Sequence, residues 1–252
     1  MSDFVHLHNH TDYSLLDAAQ TVEQMCNRVY DLGMNSIAVT DHGNLFAMIP
    51  FYKKAQEAGI KPILGCEIYV SINSYTEKKL VTNSLGKKWG YHHLVLIAQN
   101  EEGYKNLMKL CSIGYLEGFY YRPRVDKTLL KKYNQGLIAT SACLAGEVTA
   151  YAAIGDYEKA KKAALEYQEI FPNRFYLELQ NHDIIEEKKA HIILKKLSKE
   201  LNIPLVATND CHYCLEQDSD AHDALFCLGT GKNVYDNNRM KYEPGKFYLK
   251  SP

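Results

Sequence analysis

No run of about 18 apolar residues occurs in this 252-residue chain, so no membrane-spanning helix is expected. The opening Met1-Ser2-Asp3-Phe4 lacks the basic and apolar regions of an export signal, which points to a cytoplasmic protein. Its seven cysteines are then expected as reduced thiols. Cys211-x-x-Cys214 is the one close pair, and without a second pair it makes no zinc finger. Excess charge is missing too: 29 Lys and Arg face 30 Asp and Glu, so any surface for nucleic acid must be local. No Gly-rich phosphate loop follows the first apolar stretch, which argues against an open dinucleotide-binding sheet. Internal repeats and low-complexity segments are also absent. What is abundant is tyrosine, at 19, and histidine, at ten.

Apolar stretches of strand length alternate with helical spacings along the chain. Phe4–His8 reads as a strand, and Thr21 with Gln24 as a capping box opening a helix that Gly33 ends. Strands are expected next at residues 36–42, 62–70, 93–98, 137–142, 175–179 and 204–212, mostly separated by helices. Near-continuous apolar strands alternating with helices imply a parallel sheet buried on both faces, in a closed or nearly closed α/β barrel. Ser71–Tyr91 stands apart as a long polar loop carrying Lys78, Lys79, Lys87 and Lys88. Residues 232–252 read as a polar and aromatic tail without a core face, dividing the chain into a barrel over 1–231 and a lead-out segment.

Parallel barrels carry their active sites at the C-terminal ends of the strands. Those ends bring His8 and His10, Asp41 and His42, Glu67, Cys143, and Asp210 with His212. His92 and His93 lie at the start of their strand, which is awkward for an ideal barrel. Residues two apart on a strand share a face, so His6, His8 and His10 would line up. Each group alone is commonly a strand cap or a core residue. Together, and buried, so many imidazoles and carboxylates are hard to satisfy without metal. Imidazole, carboxylate and a thiol favour zinc, manganese or iron over magnesium. Clustered ions of this kind activate water and clamp the oxygens of an in-line displacement, so metal-assisted phosphoester hydrolysis is expected.

His8-x-His10-Thr11 with Asp17, Thr40-Asp41-His42-Gly43, Glu67, His93, Cys143 and Asp210-x-His212 resemble the PHP (polymerase and histidinol phosphatase) domain. Residues 59–67 (GIKPILGCE) and 118–124 (GFYYRPR) are similar, more narrowly, to the N-terminal domain of bacterial DNA polymerase III alpha subunits. The resemblance implies a distorted seven-stranded TIM-like barrel, (β/α)7, holding three divalent ions (Zn, Mn or Fe). One ion would take His8, His10, Glu67 and Asp210; a second would share Glu67 and add His93 and Cys143; the third would use Asp17, His42 and His212. His93 is preferred to His92 because it directly begins the apolar strand. Asp17 and Cys143 stand where other branches carry His. His6 and Asp41 are expected to support the ligands from behind. Arg122 and Arg124, among aromatics, are candidate substrate contacts, although their place after a helix puts them by default on the opposite face.

The expected activity is 3′–5′ exonuclease action on DNA 3′ ends through water activated at His8, His10, Asp210 and His212. The implied partners are a polymerase core in the same polypeptide and replisome subunits, with no membrane. Nucleotidyl transfer would lie outside these residues. The alternatives are a catalytically silent, metal-stabilised docking domain and a free-standing phosphatase of the histidinol-phosphate type.

Overall fold

The computed structural model describes residues 4–82, 86, 88 and 90–252; Lys87 of the long loop lies outside the described residues. The chain divides into two compact units. One holds the described residues up to Asp41 with Phe46–Leu64 and Thr208–Pro252, and the other holds His42–Leu45 and Gly65–Ala207. Among the described residues no helix is long and apolar enough to cross a membrane.

In the first unit, α1 (Val22–Asp31) starts on the expected capping box, with Thr21 and Gln24 each accepting from the other's backbone. Gly33 continues past it at φ +68°, a conformation that costs glycine little. Met25, Cys26 and Val29 bury one face of α1, and Met48, Phe51 and Ala55 bury one face of α2 (Met48–Glu57). Large side chains in this position contribute about 1.5–3 kcal/mol each. All four residues of β1 (Ser36–Val39) are buried, and β1 pairs in parallel with the first residues, Lys61–Leu64, of β2 (Lys61–Ser71).

The expected strand at Phe4–His8 is not a regular one. Ala38 N–H donates to His6 O and Thr40 N–H to Asn9 O, so this segment advances three residues while its neighbour advances two. That extra residue is a bulge. Asn9 fills it by donating its amide to the carbonyls of His6 and Ala38. The alternating-face rule therefore fails between His6 and His8. After the short 3-10 turn Glu216–Asp218 and α8 (Ser219–Thr230), the tail acquires the core face it was not expected to have. Phe247 and Leu249, two apart, are buried, and Tyr248 bridges to Tyr213.

The second unit takes up β2 at Gly65 and continues through β3 (Tyr91–Ala98), α3 (Glu101–Leu116), β4 (Arg124–Val125), α4 (Lys127–Lys132) and β5 (Leu137–Thr140). It ends with α5 (Glu147–Ala153), α6 (Tyr157–Ile170), β6 (Phe175–Leu179), α7 (Ile185–Leu201) and β7 (Leu205–Ala207). Hydrogen-bonded strand order is β1-β2-β3-β5-β6-β7, with β4 against β2. The seven strands are thus not the seven expected: β4 is added and the N-terminal segment is irregular.

The all-parallel expectation also fails at β3, which runs antiparallel to both β2 and β5. The cause is local. No helix forms among the described residues of 72–90, and without a crossover helix the chain can only return alongside the strand it left. The small residues Ala160, Ala163 and Ala164 give α6 a buried face in a core shared with Leu94, Leu96, Leu107, Leu194 and Leu197.

At the start of α3, Gly103 meets the turn before β5 so closely that a Cβ there would lie 1.8 Å from Gly136 O. Both sides of that contact are backbone and cannot swing away. Gly103→Ala is therefore expected to destabilise the chain by about 1–3 kcal/mol, read from the urea midpoint. An unchanged midpoint would contradict this packing.

Candidate metal centre

Within the first unit, the bulged segment delivers His8 and His10 fully buried to one carboxylate. His8 Nε2 lies 3.2 Å and His10 Nε2 3.1 Å from Asp210 Oδ1. The three residues are buried and could hold one metal ion. Burial opposes ionisation of Asp210, but positive charge among His8, His212 and His10 outweighs it and holds the carboxyl well below the usual range, a part that a bound cation takes over when those imidazoles are neutral. Asp210 itself sits at φ +46°, a strained conformation for a residue with a side chain.

Hydrogen bonds fix which imidazole nitrogen faces inward. The Ser14 hydroxyl donates to Asp41 Oδ1 (2.7 Å), so at His10 Nδ1 (3.2 Å) it accepts. His10 then carries its proton on Nδ1 and presents a lone pair on Nε2. His212 Nδ1 faces the main-chain oxygen of Asp210 at 2.8 Å, which can only accept, so its Nε2 is likewise a lone-pair donor. Asp41, fully buried, also accepts from the N–H and hydroxyl of Thr11. Asp41 thus orients His10 through Ser14. His6 Nε2 meets Lys250 O at 2.9 Å and its Nδ1 meets Cys211 Sγ at 3.6 Å. It braces the segment after β7 that carries Asp210 and His212 through Cys211.

Asp17 and His212 are brought together by a residue that sequence reasoning passed over. The Tyr242 hydroxyl lies 3.2 Å from Asp17 Oδ1 and 3.1 Å from His212 Nε2.

The second unit assembles His42, Glu67, His93 and Cys143. His42 Nδ1 is 2.6 Å from Glu67 Oε2, and His93 Nδ1 is 3.0 Å from Glu67 Oε1. Cys143 Sγ stands 3.8 Å from His93 Nδ1 and 3.9 Å from Glu67 Oε1. His42, Glu67 and His93 could together hold a metal ion. His42 thus lies against Glu67 within this unit. Gly43 N–H donates to Glu67 O, and at φ +62° a Cβ on Gly43 would press on Pro123 and Tyr69 at 2.8 Å. A glycine is therefore required beside His42.

The antiparallel turn of β3 explains the awkward histidines. It pairs His93 with Tyr69 near the C-terminal end of β2, two residues beyond Glu67. His92 points to the other side of the strand, with Nδ1 3.2 Å from Ala145 O, and burial pushes its pKa down. His93 is accordingly the one that reaches Glu67.

The two arginines separate. Arg124 is 1% exposed and donates to the carbonyls of Gly118, Tyr75 and Glu77, so it ties loops together and is not placed as a substrate contact. Arg122 is exposed and lies 5.9 Å over the Tyr69 ring, which stacks on His42. Its segment follows β2 through the pairing of Tyr69 with Arg124, which puts Arg122 beside this group of ligands and not on an opposite face.

These donors suit a borderline divalent cation: imidazoles, those of His10 and His212 with hydrogen bonds that direct Nε2 inward, together with carboxylates and one thiol. The profile of the PHP domain family matches residues 6–182. The chain is 49% identical over 250 residues to a DNA polymerase III subunit alpha from Borreliella burgdorferi, and 44% identical over 260 residues to one from Helicobacter pylori. Each match covers 99% of this chain and 21% of the relative, so the chain spans about a fifth of these proteins. Among solved structures it resembles a Bifidobacterium adolescentis protein named as a metal-dependent phosphoesterase, with TM-score 0.51 and 12% identity over 82% of this chain and 87% of that one. A Chromobacterium violaceum amidohydrolase with bound sulfate gives the same values. At that identity the likeness is one of fold, and with the strand pairing it makes the chain a distorted TIM-like α/β barrel.

In the first unit burial pushes the His222 imidazole down to about 4, assisted by His212 and opposed by its hydrogen bond to Asp17 O. Unfolded, it would titrate near 6.5. Between those values the unfolded chain binds the extra proton, so stability present above pH ~6.5 is lost as pH falls towards ~4, on the order of 3 kcal/mol. His222→Gln keeps a donor for Asp17 O and removes the titration. It should flatten the acid side of a urea-midpoint against pH curve; identical curves for both proteins would refute the assignment.

Proposed function

The chain belongs to the PHP domain family, and from that premise we propose that its clustered ligands serve metal-dependent phosphoester hydrolysis, with DNA 3′ ends as substrate in a 3′–5′ exonuclease reaction. His8, His10 and Asp210 would hold one divalent ion; His42, Glu67, His93 and Cys143 a second; Asp17 and His212 a third. Zinc, manganese or iron suits these donors. Bound there, such ions supply Lewis acidity towards a phosphoester and water. The observation that carries the reading is the fixed presentation of lone pairs: Asp41 through Ser14 sets His10, and the Asp210 carbonyl sets His212. Preset tautomers cost nothing to organise when the ligands are used. Arg122, exposed beside Tyr69, is proposed as the phosphate contact.

That the relatives are polymerase subunits favours a nucleic acid over histidinol phosphate. A polymerase core in the same polypeptide, replisome partners, a cytoplasmic setting and the division at residue 231 belong to the same proposal. The buried anchor at Phe247 and Leu249 supports a second reading, a metal-stabilised docking domain without turnover.

Metal-loaded chain is expected to shorten single-stranded DNA labelled away from its 3′ end. His10→Ala and Asp210→Asn should each lower that rate by about 10²-fold or more. Nuclease activity undiminished in both variants would sink the proposal. Metal binding that raises the melting temperature without cleavage would select the docking reading.

A further inference from the structure

Tyr242 enters the first unit from the segment after α8, far beyond the residues matched by the family profile. Its ring is caged by His212, His222, Phe226 and Phe247 at centroid separations of 4.7–5.2 Å. The segment is pinned a few residues earlier, where Arg239 makes a two-pronged ion pair with Asp223 at 2.5 and 2.6 Å. The hydroxyl is thus held in place from several sides, and what it faces is chemically specific.

Asp17 Oδ1, His212 Nε2 and Tyr242 Oη converge, with the hydroxyl within 3.2 Å of the other two. Because His212 carries its proton on Nδ1, its Nε2 brings a lone pair. An ionised Asp17 brings only lone pairs as well. Three Lewis-basic atoms therefore converge at the phenol hydroxyl. A donor set of imidazole, carboxylate and phenol oxygen suits the borderline cations already argued for this chain.

We propose that Tyr242 is a third protein donor to the divalent ion of the Asp17–His212 pair, which makes the 232–252 segment part of the metal centre. The inference rests on the metal-dependent reading above and extends it to a residue outside the recognised motif. By linkage, an ion that draws on Tyr242 also holds its segment down, so occupancy and segment order rise together.

The test is a Co(II) titration of the chain, followed by the visible d–d bands and the near-ultraviolet tyrosine difference spectrum. In the unaltered chain the last cobalt to bind should perturb a tyrosine and slow proteolytic cleavage within residues 233–241. Tyr242→Phe keeps the ring in its cage, so the fold is preserved. It should lose the tyrosine perturbation and weaken that one cobalt step by about tenfold. Arg239→Ala, which frees the segment but leaves the hydroxyl intact, should weaken the same step. If the unaltered chain binds cobalt and the Tyr242→Phe titration superimposes on it, this inference falls while the metal reading stands. Should the unaltered chain bind no cobalt, both fall.

Discussion

Polar groups taken out of water must be satisfied, and in this protein that requirement governs the local architecture around His10. Asp41 is the clearest case. Fully buried, it draws in the backbone and hydroxyl of Thr11 and the hydroxyl of Ser14. Those three bonds shape the loop after His10 and, through Ser14, decide which His10 nitrogen carries a proton. Losing one partner of a buried carboxylate costs on the order of 1–3 kcal/mol, so the arrangement resists relaxing into another. Orientation of a ligand and stability of the loop are here the same interaction.

Backbone strain recurs at the same places. Gly43 after His42, Ala142 before Cys143, and Asp210 itself all adopt positive φ. For Ala142 and Asp210 this costs roughly 1–3 kcal/mol each. In all three cases the chain leaves a strand or its extension and must turn sharply while presenting a side chain inward. Glycine is used where Tyr69 and Pro123 crowd the Cβ; elsewhere the strain is accepted and the ligand-bearing sequence kept.

Much of this was legible in the sequence because it is governed by local periodicity. The capping box at Thr21, the buried faces of α1 and α6, most strand positions and the His-x-His pattern all follow from spacings of two or 3.6 residues. What escaped depended on long-range pairing. The reversal of β3 follows a connection whose described residues form no crossover helix, and only that reversal makes sense of His93 lying at its strand's beginning. The bulge at Asn9 is visible only in the unequal advance of two hydrogen-bonded neighbours, and it removes His6 from the face of His8 and His10. Arg124 and Arg122 look equivalent in sequence, yet carbonyls buried around the first leave only the second exposed. Tyr242 is one of 19 tyrosines, and nothing in its immediate neighbours marks it.

The pairing of His8 and His10 with Asp210, and of His6 with Lys250, joins the two extremes of the chain. During synthesis at about 5–20 residues per second, the two histidines would wait on the order of 10–40 s for their carboxylate to emerge. Residues 65–207 form a continuous stretch with its own apolar core and can fold in that interval. The first unit, closed by contacts such as Gln20 with Cys211 and His6 with Lys250 that are 191 and 244 residues apart, folds last because its loop-closure entropy is recovered last. Its cation-binding groups therefore come together only after translation has passed residue 210, so a truncated product would carry the histidines without the means to use them.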